Sequence, residues 1–360
     1  MQRRSLIRRG GMAGVLAAGL APAVQAQALT RWRLASSFSK PQELLFGAAT
    51  AFARQVGELS GGRFQIEVHG AGELMSAQGV FDGVQRGAVE ACHTTGAFAP
   101  DANAAFALGA AIPFGMNARQ LSAWMSAGNG QKLVREFHAD FGAVSFACGI
   151  AGAQRLGWFV REIRSLQDFK GLRLRVDGLA GRAMARFGAL PQGPASGVDV
   201  RDALARGAIG AAEGLSPWDD QRSGMPKVAR ICHYPGWWSG ATQLDLLVNQ
   251  KAFDALSVEN KAIVQIASAA VQVQLLASYD ARNPAALRQL TAAGAQFKPF
   301  PKPVLDALFK ESMALSLDLD RSNPAWKKLH QDYRAFQQAS LRTDRVTEAA
   351  FDSFLQSARL

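Results

Sequence analysis

The chain has 360 residues, of which 48% are apolar and 19% are charged. Lys and Arg outnumber Asp and Glu by 40 to 29, which gives a formal net charge of +11. These values exclude an intrinsically disordered chain and allow one large domain or two lobes with separate cores. The three cysteines form no Cys-x-x-Cys pair, so they exclude a disulfide scaffold and favour buried free thiols, with one disulfide left open.

The first 28 residues have the layout of an export signal. They begin with four Arg, continue with an apolar stretch from Met12 to Val24, and end in the small-x-small site Ala26–Ala28. Arg3-Arg4 loosely fits a twin-arginine signal, so export is predicted and the route is left open. Removing residues 1–28 takes away those four Arg and no acid, which leaves 36 basic against 29 acidic residues, or +7. We therefore expect a periplasmic protein.

Predicted strands and helices alternate through the first part of the mature chain. A strand at Trp32–Ala35 precedes a helix with Ser39 as its N-cap, and a second strand covers Arg63–Val68. A helix around Phe81 and a strand at Val89–Thr94 follow. This order predicts α/β layers with a largely parallel sheet.

The same alternation restarts near Gly149 and predicts a second α/β unit. Strands are predicted at Leu172–Val176 and Ile209–Glu213, with a helix between them that Gly207 ends. A long helix then begins after Ser257 and runs to about Arg282, where Asn283-Pro284 interrupts it. Two lobes are therefore favoured over a single sheet.

Signatures of catalysis and of nucleic-acid binding are missing from the sequence. No two of the five His are spaced for a helical metal pair, and there is no Gly-x-Ser-x-Gly elbow, Walker loop or dinucleotide fingerprint. The Arg residues are dispersed rather than clustered with stacking aromatics. We therefore expect no nucleic-acid partner.

A set of polar residues near strand ends suits a small anion instead. Alternation puts Arg173 and Arg175 on one face of their strand, and an Arg at a strand's carboxyl end points into the crevice where α/β lobes bind ligands. The planar guanidinium group of such an Arg can bind a carboxylate through two parallel hydrogen bonds. The same spacing is also compatible with an Arg that is simply exposed to solvent. Glu213 is the last residue of an apolar strand. It is either an acid that caps the following helix or a charged residue with a functional role. Gln154 adds an amide beside a glycine-rich turn.

Several motifs resemble the solute receptors of tripartite ATP-independent periplasmic (TRAP) transporters, the DctP-like family. The broad family element is Lys170-Gly171-Leu172 followed by Arg175. The more specific elements resemble the branch that binds 2-oxo acids such as pyruvate, and the likeness covers essentially the whole mature chain. They are Ala211–Glu213, Pro217–Asp220 and Tyr234–Trp238, whereas Gly152–Phe159 resembles the receptors in general.

The resemblance implies a two-lobed periplasmic binding protein fold with hinge strands and a long lobe-spanning helix. We expect a signal peptide at 1–28, lobe 1 at 29–150 plus 241–282, and lobe 2 at 151–240 plus 283–335. The remaining 336–360 would form a C-terminal helix with Phe351, Phe354 and Leu355 at near-helical spacing. That helix would mediate homodimerisation, as a swapped helix does in this branch, or would pack on its own lobe.

The resemblance also implies roles for individual residues. Arg175 would bind the substrate carboxylate, and Gln154 and Glu213 would contact both the substrate and a bound cation. All-oxygen ligands favour Na⁺ or Ca²⁺ over a transition metal. Trp237 and Trp238 would wall the pocket, although a packed aromatic corner explains each Trp equally well.

Two departures from this branch affect the expected cation site. Gly214 stands where the branch usually carries Trp, which leaves a backbone carbonyl as a ligand and predicts a wider pocket. Ser239 stands where the branch has an acid after Gly-Trp-Trp, which weakens the site. Asp245 is a candidate replacement for that acid, with its direction left open.

The expected function is therefore non-catalytic: capture of a 2-oxo or 2-hydroxy monocarboxylic acid with a cation, and its delivery to the small and large membrane permease subunits. The main alternative is an exported lyase or hydrolase that uses Glu213 as a general base. A structural or adhesion protein is a third class, and it predicts no saturable binding of small molecules.

Overall fold

The computed structural model describes most of the mature chain. The predicted signal at 1–28 and the candidate ligand Gln154 lie outside the described residues. Those residues are 29–98, 103–110, 112–152, 156–176, 178–192 and 200–358.

The described strands form two separate sheets. The first sheet has the order β2-β1-β3-β10-β4 and the second has the order β11-β9-β5-β8-β6-β7. The strands of the first sheet are β1 Thr30–Ser36, β2 Phe64–His69, β3 Ala91–Thr94, β4 Ala143–Ala151 and β10 Thr242–Asn249. Those of the second are β5 Gly157–Phe159, β6 Arg173–Arg175, β7 Leu190–Gln192, β8 Ala211–Glu213, β9 Ile231–Tyr234 and β11 Gln296–Pro299.

Thirteen α-helices pack around these sheets in the part of the chain that the structure describes. The helices that precede β5 are α1 Glu43–Leu59, α2 Val80–Gln85, α3 Ala107–Ala110, α4 Ala118–Ser126 and α5 Gly130–Ala139. The next four are α6 Gly178–Ala185, α7 Val200–Ala205, α8 Pro217–Ser223 and α9 Gln250–Asp254. The last four are α10 Val258–Ala292, α11 Lys302–Ser322, α12 Pro324–Asp344 and α13 Glu348–Ser357.

Each sheet is parallel except for one strand, and that strand arrives from the other sheet. β5 follows β4 of the first sheet and runs antiparallel to both β8 and β9. β10 follows β9 of the second sheet and runs antiparallel to both β3 and β4. β5 and β10 each begin beside the gap between the two sheets and therefore run away from it. The other strands of each sheet run in the opposite direction and end beside that gap. The predicted two-lobed α/β fold with crossing strands is thereby confirmed, whereas the predicted lobe boundaries stay a prediction.

The long helix does not stop where the sequence predicted. α10 continues through Pro284 to Ala292, although proline removes one backbone hydrogen bond from a helix. Contacts from other elements hold the two residues that precede Pro284. The Arg282 side chain donates to Glu43 of α1 at 2.7 Å, and the Trp218 backbone N–H of α8 donates to Asn283 at 3.1 Å. The prediction of an interruption was wrong because tertiary contacts outweigh the local preference.

α10 is also the one helix among the described residues that is long and apolar enough to cross a membrane. Its buried residues, including Val264, Val271 and Leu275, belong to the same apolar core as the inner faces of α1 and β10. Its packing explains its composition, because a helix that runs between a sheet and another helix needs more than one apolar face.

The predicted start of α1 was wrong, whereas the predictions for Gly207 and for the three cysteines are confirmed. α1 begins at Glu43 rather than after Ser39, because the Ser39 backbone N–H donates to the Gln42 side chain in a separate turn. Gly207, with a φ of 67°, follows α7 as predicted. All three cysteines are buried free thiols, and burial raises their pKa.

Candidate functional site

A cavity of about 330 Å³ lies where the strands of both sheets end. From the first-sheet side it is lined by the ends of β4 and β10, the segments after β1 and β3, and parts of α1 and α10. The second-sheet side contributes the ends of β6 and β8 and parts of α7 and α8. The lining residues used below are Gln42, Thr95, Phe98, Ala151, Thr242, Leu244 and Tyr279 on the first side, and Arg175, Arg201, Glu213, Gly214 and Asp220 on the second.

Arg175 and Glu213 line this cavity because they end neighbouring parallel strands. Arg175 of β6 stands opposite Ala212 of β8, so Glu213 follows one residue further along the same edge. Leu174 is 2% exposed, and its burial turns the side chains of both flanking Arg residues to the other face of the strand. Arg175 and Glu213 are half-buried, which leaves both charged groups partly accessible. The sequence-based placement of both residues at a strand's carboxyl end is confirmed.

Gly214 and Asp220 form an adjoining part of the wall. The Gly214 backbone N–H donates to the Leu156 carbonyl at 2.7 Å, and a side chain at 214 would collide with the Asp220 carboxylate. Asp220 accepts hydrogen bonds from the Trp158 indole at 2.8 Å and from the Leu215 backbone N–H at 3.0 Å. The lack of a side chain at 214 therefore leaves room for a buried carboxylate as well as for ligand.

A second acid, Asp219, lies behind the cavity wall. It accepts hydrogen bonds from the Ser216 hydroxyl at 2.8 Å and from the Tyr279 hydroxyl at 3.0 Å. Burial raises the pKa of Asp219, and these two hydrogen bonds oppose the rise. Since Tyr279 belongs to α10 and lines the cavity, the pair fixes α8 against the long helix beside the site.

The two tryptophans and the serine that follow Gly236 lie away from the cavity lining. Trp237 is buried and stacks on Phe114 at a ring-centroid distance of 5.5 Å, and Trp238 packs edge-on against Phe300 at 6.3 Å. The Ser239 hydroxyl donates to the Ala241 carbonyl at 2.7 Å and lies 3.2 Å from the hydroxyl oxygen of Thr242. The packed aromatic corner weighed as an alternative describes this arrangement, and direct roles for these three residues stay predictions.

Asp245 does not replace the acid missing at position 239. Thr242 and Leu244 line the ligand cavity, whereas Asp245 lines a separate small hollow together with Thr94 and His138. Alternation along β10 explains the difference, because neighbouring side chains point to opposite faces. Burial raises the pKa of Asp245 to about 7. The candidate replacement was therefore wrong.

Sequence reasoning missed several lining residues. Arg201 lies in the first turn of α7 and Tyr279 in the middle of α10, and nothing in their spacing singles them out. Asp220 was within a motif quoted for the resemblance, but no role was assigned to it. Its place in the wall depends on Gly214 and Leu215, which only the folded chain brings beside it.

The chemistry of the wall fits a hard cation rather than a transition metal. Within the described ranges, no three His, Cys, Asp or Glu residues are grouped to hold a metal ion. The donors offered at the cavity by Glu213, Gly214 and Asp220 are oxygens, which suit Na⁺ or Ca²⁺.

Comparison with known proteins places this geometry in a family. The family model for bacterial extracellular solute-binding protein, family 7 (DctP) matches residues 35–322. The chain is 36% identical over 329 residues to the monocarboxylate 2-oxoacid-binding periplasmic protein of Nostoc sp., covering 91% of this chain and 90% of the relative.

Solved structures give the same result. A TRAP transporter solute binding protein from Bordetella bronchiseptica, a dimer with copurified calcium and picolinate in one active site, matches with a TM-score of 0.88 and 35% identity, covering 92% of this chain and 98% of that one. One from Pseudoalteromonas atlantica with bound sodium and pyruvate matches with a TM-score of 0.86 and 30% identity, covering 92% and 99%. The chain therefore belongs to the DctP family of extracellular solute-binding proteins, the receptors of TRAP transporters.

Proposed function

We propose that this protein captures a small 2-oxo or 2-hydroxy carboxylic acid together with a cation in the periplasm, and delivers it unchanged to the membrane permease of a TRAP transporter. The proposal rests above all on Arg175 and Glu213, which leave neighbouring strands at one edge and line one cavity. The guanidinium of Arg175 matches a carboxylate. The relatives that hold pyruvate or picolinate beside sodium or calcium support the same class of ligand.

A cation resolves the repulsion between Glu213 and an anionic ligand. When bound, it would supply the positive charge that lets a carboxylate and its 2-oxygen lie beside Glu213. We infer that Glu213, the Gly214 carbonyl oxygen and Gln154 hold the cation. Ser239 would join them only after giving up its hydrogen bond to the Ala241 carbonyl.

The residues of the cavity give no support to the alternative of an exported enzyme. A general base at Glu213 needs a nucleophile or an activated water beside it, and the described residues that line the cavity include no His or Cys. A turnover assay separates the two classes, because a receptor returns its ligand unchanged.

The test of the proposed function is thermal unfolding of the mature, ligand-stripped protein against 2-oxo acids, 2-hydroxy acids and simple dicarboxylates. Each acid is measured with sodium, with calcium and with chelator. A ligand at a hundred times its Kd adds about 2.7 kcal/mol to the stability, which shifts the midpoint clearly. We expect shifts with 2-oxo or 2-hydroxy acids that need a cation. Absence of any shift would contradict the proposal.

We also propose that the receptor forms a homodimer through α13. Phe351 and Phe354 are 61% and 68% exposed, so most of their apolar surface is not covered by their own chain. The dimer of the Bordetella relative supports this proposal. Sedimentation velocity on the F351S/F354S double variant tests it, and an unchanged dimer or a monomeric parent protein would contradict it.

A further inference from the structure

The end of the second sheet that lies opposite the ligand cavity is rich in exposed cations. β6, β8 and β9 begin at that end, and β5 ends there because it runs antiparallel to its two neighbours. The Arg173 guanidinium donates to the Gly207 carbonyl at 3.0 Å, and that of Arg161 donates to the Asp168 carbonyl at 3.4 Å. Exposed Lys and Arg side chains lie at these strand ends and in the segments beside them, which together form the basic end. They are Arg161, Arg164, Lys170, Arg173, Arg206 and Arg230.

The acids in these segments and in α7 neutralise little of this charge. Glu162 lies 3.2 Å from Arg164 and 2.7 Å from a lysine of β11. Asp168 accepts hydrogen bonds from two backbone N–H groups at 2.8 and 2.9 Å. Asp202 lies 3.4 Å from Arg201, on the side of the cavity. Four cations of the basic end form no salt bridge with any described acid. They are Lys170, Arg173, Arg206 and Arg230.

The corresponding end of the first sheet has a more balanced charge. β1, β2 and β3 begin there, since they are parallel and end beside the cavity. Arg33 lies 3.8 Å from Glu90, and Arg86 forms an ion pair with Asp82 at 2.6 Å. The excess of positive charge is therefore a local feature of the second sheet rather than a uniform property of the surface.

Two exposed apolar side chains lie among the cations of the basic end. Val160 and Leu190 are each 49% exposed. The Val160 backbone N–H donates to the Gly210 carbonyl at 3.0 Å, and that of Leu190 donates to the Leu172 carbonyl at 2.8 Å, so both residues flank strands that begin at this end. A surface that combines Lys and Arg with exposed apolar groups suits the boundary of a bilayer, where anionic headgroups lie above acyl chains.

We propose that the basic end binds the anionic lipid headgroups of the membrane that contains the permease, and thereby holds the receptor near its transporter. Guanidinium and ammonium groups pair with phosphate through charge-assisted hydrogen bonds. A membrane fits this end better than the permease does, because a permease that receives the ligand has to meet the cavity. The basic end lies at the other end of the sheet, so ligand capture and membrane binding use separate surfaces.

The test is co-sedimentation of the mature protein with vesicles of phosphatidylglycerol and phosphatidylethanolamine, and with vesicles of phosphatidylcholine alone. We expect binding to the anionic vesicles only, and its loss at high salt. K170Q/R206Q removes two exposed cations that form no salt bridge with a described acid. It should lower the partition coefficient by at least about tenfold, since each cation near an anionic surface contributes separately.

A matched control removes the same net charge from the other sheet. R31Q/K251Q changes two exposed residues at the end of the first sheet where β1 begins and β10 ends. Its partition coefficient should stay within about twofold of the parent, because charges far from the contact are screened. Neither pair lines the cavity, so both variants should keep the parent's thermal midpoint and its affinity for a 2-oxo acid.

Three outcomes would overturn the membrane role and leave the receptor function standing. They are absence of binding to anionic vesicles, equal binding to phosphatidylcholine, and an equal loss of binding in the two double variants. A further arm uses the permease subunits reconstituted in phosphatidylcholine. Binding that requires the permease, is weakened by K170Q/R206Q and is absent from anionic vesicles would assign the basic end to a protein partner and overturn the proposal.

Discussion

The two sides of the ligand cavity differ in charge. On the second-sheet side, the described lining includes Arg175, Arg201, Glu213 and Asp220, whereas the first-sheet side is lined by uncharged residues such as Thr95, Phe98 and Leu244. The first sheet does contain a buried acid, Asp245, but that residue faces another hollow. Among the described residues, recognition of charge is therefore concentrated on one sheet, and those of the other sheet provide a neutral cover.

This asymmetry suggests an order of events in ligand capture. An anion first meets the charged edge of the second sheet, where it is still exposed to water. Approach of the uncharged side then removes that water and strengthens every electrostatic contact without adding a competing charge. Variants on the charged side should accordingly change affinity more than variants on the neutral side.

The largest effect is expected for R175A. Truncation of one member of a buried charge pair costs about 2–5 kcal/mol, so the Kd for a 2-oxo acid should rise by roughly 30-fold or more. Calorimetry measures the change, and a thermal midpoint that stays the same without ligand shows that the fold is intact. R173A, on the same strand but exposed and bonded to the Gly207 carbonyl, is the control that should bind normally. Retained affinity in R175A would remove the assigned role.

A smaller effect is expected for E213Q. The amide keeps the shape of Glu213 but loses its charge, so the cation should bind more weakly and the ligand Kd should rise by about tenfold, or about 1.4 kcal/mol. Titrations with calcium and with chelator should then give nearly the same Kd, unlike those of the parent. If E213Q responds to the chelator as strongly as the parent, Glu213 is not the cation ligand.

On the neutral side, F98A should have a modest effect. Phe98 lines the cavity and packs edge-on against Phe38 at 6.1 Å, so its truncation uncovers the ligand without removing a charge. We expect the Kd to rise by about fivefold, mainly through a faster off-rate in stopped-flow measurements. L59A, at an exposed position, is the control. A loss as large as that of R175A would contradict the division between the two sides.

D245N should leave ligand affinity unchanged and alter the pH dependence of stability. The pKa of Asp245 is about 7 in the folded protein, against about 3.9 in an unfolded chain, so the folded state holds the proton more firmly. Stability from this group is complete below pH 4 and is lost as the pH rises towards 7. D245N should thus exceed the parent by up to about 4 kcal/mol at pH 8 and lose that advantage near pH 4.

Urea unfolding at several pH values between 4 and 8 measures this difference. D352N changes an exposed acid in α13 and should follow the parent at every pH. Parallel curves for D245N and the parent would show that Asp245 does not titrate in this range in the folded protein.

The sequence was informative where a local pattern decides the structure. Alternation in β6 and the apolar run before Glu213 were sufficient to place Arg175 and Glu213 at strand ends. Local patterns could not indicate that Trp237 and Trp238 turn into the core, because that depends on Phe114 and Phe300 from other parts of the chain.

Long-range contacts also explain the remaining differences. The continuation of α10 through Pro284 depends on α1 and α8, and the place of Arg201 in the wall depends on how α7 is docked. Strand alternation would have shown that Asp245 and Leu244 face opposite sides, but it could not say which side holds the cavity. Tertiary arrangement, rather than residue type, therefore set the limit of prediction.

The chain crosses between the sheets three times, and the crossings from β4 to β5 and from β9 to β10 have a mechanical consequence. Ala151 precedes one crossing and Thr242 follows the other, and both line the cavity, so the ligand is held close to the axis about which the sheets would rotate. A given rotation displaces atoms near the axis only slightly, whereas it displaces atoms at the rim of the cavity entrance by a larger distance. A short lever arm at the ligand and a long one at the rim would let the rim of the entrance move farther than the residues around the ligand.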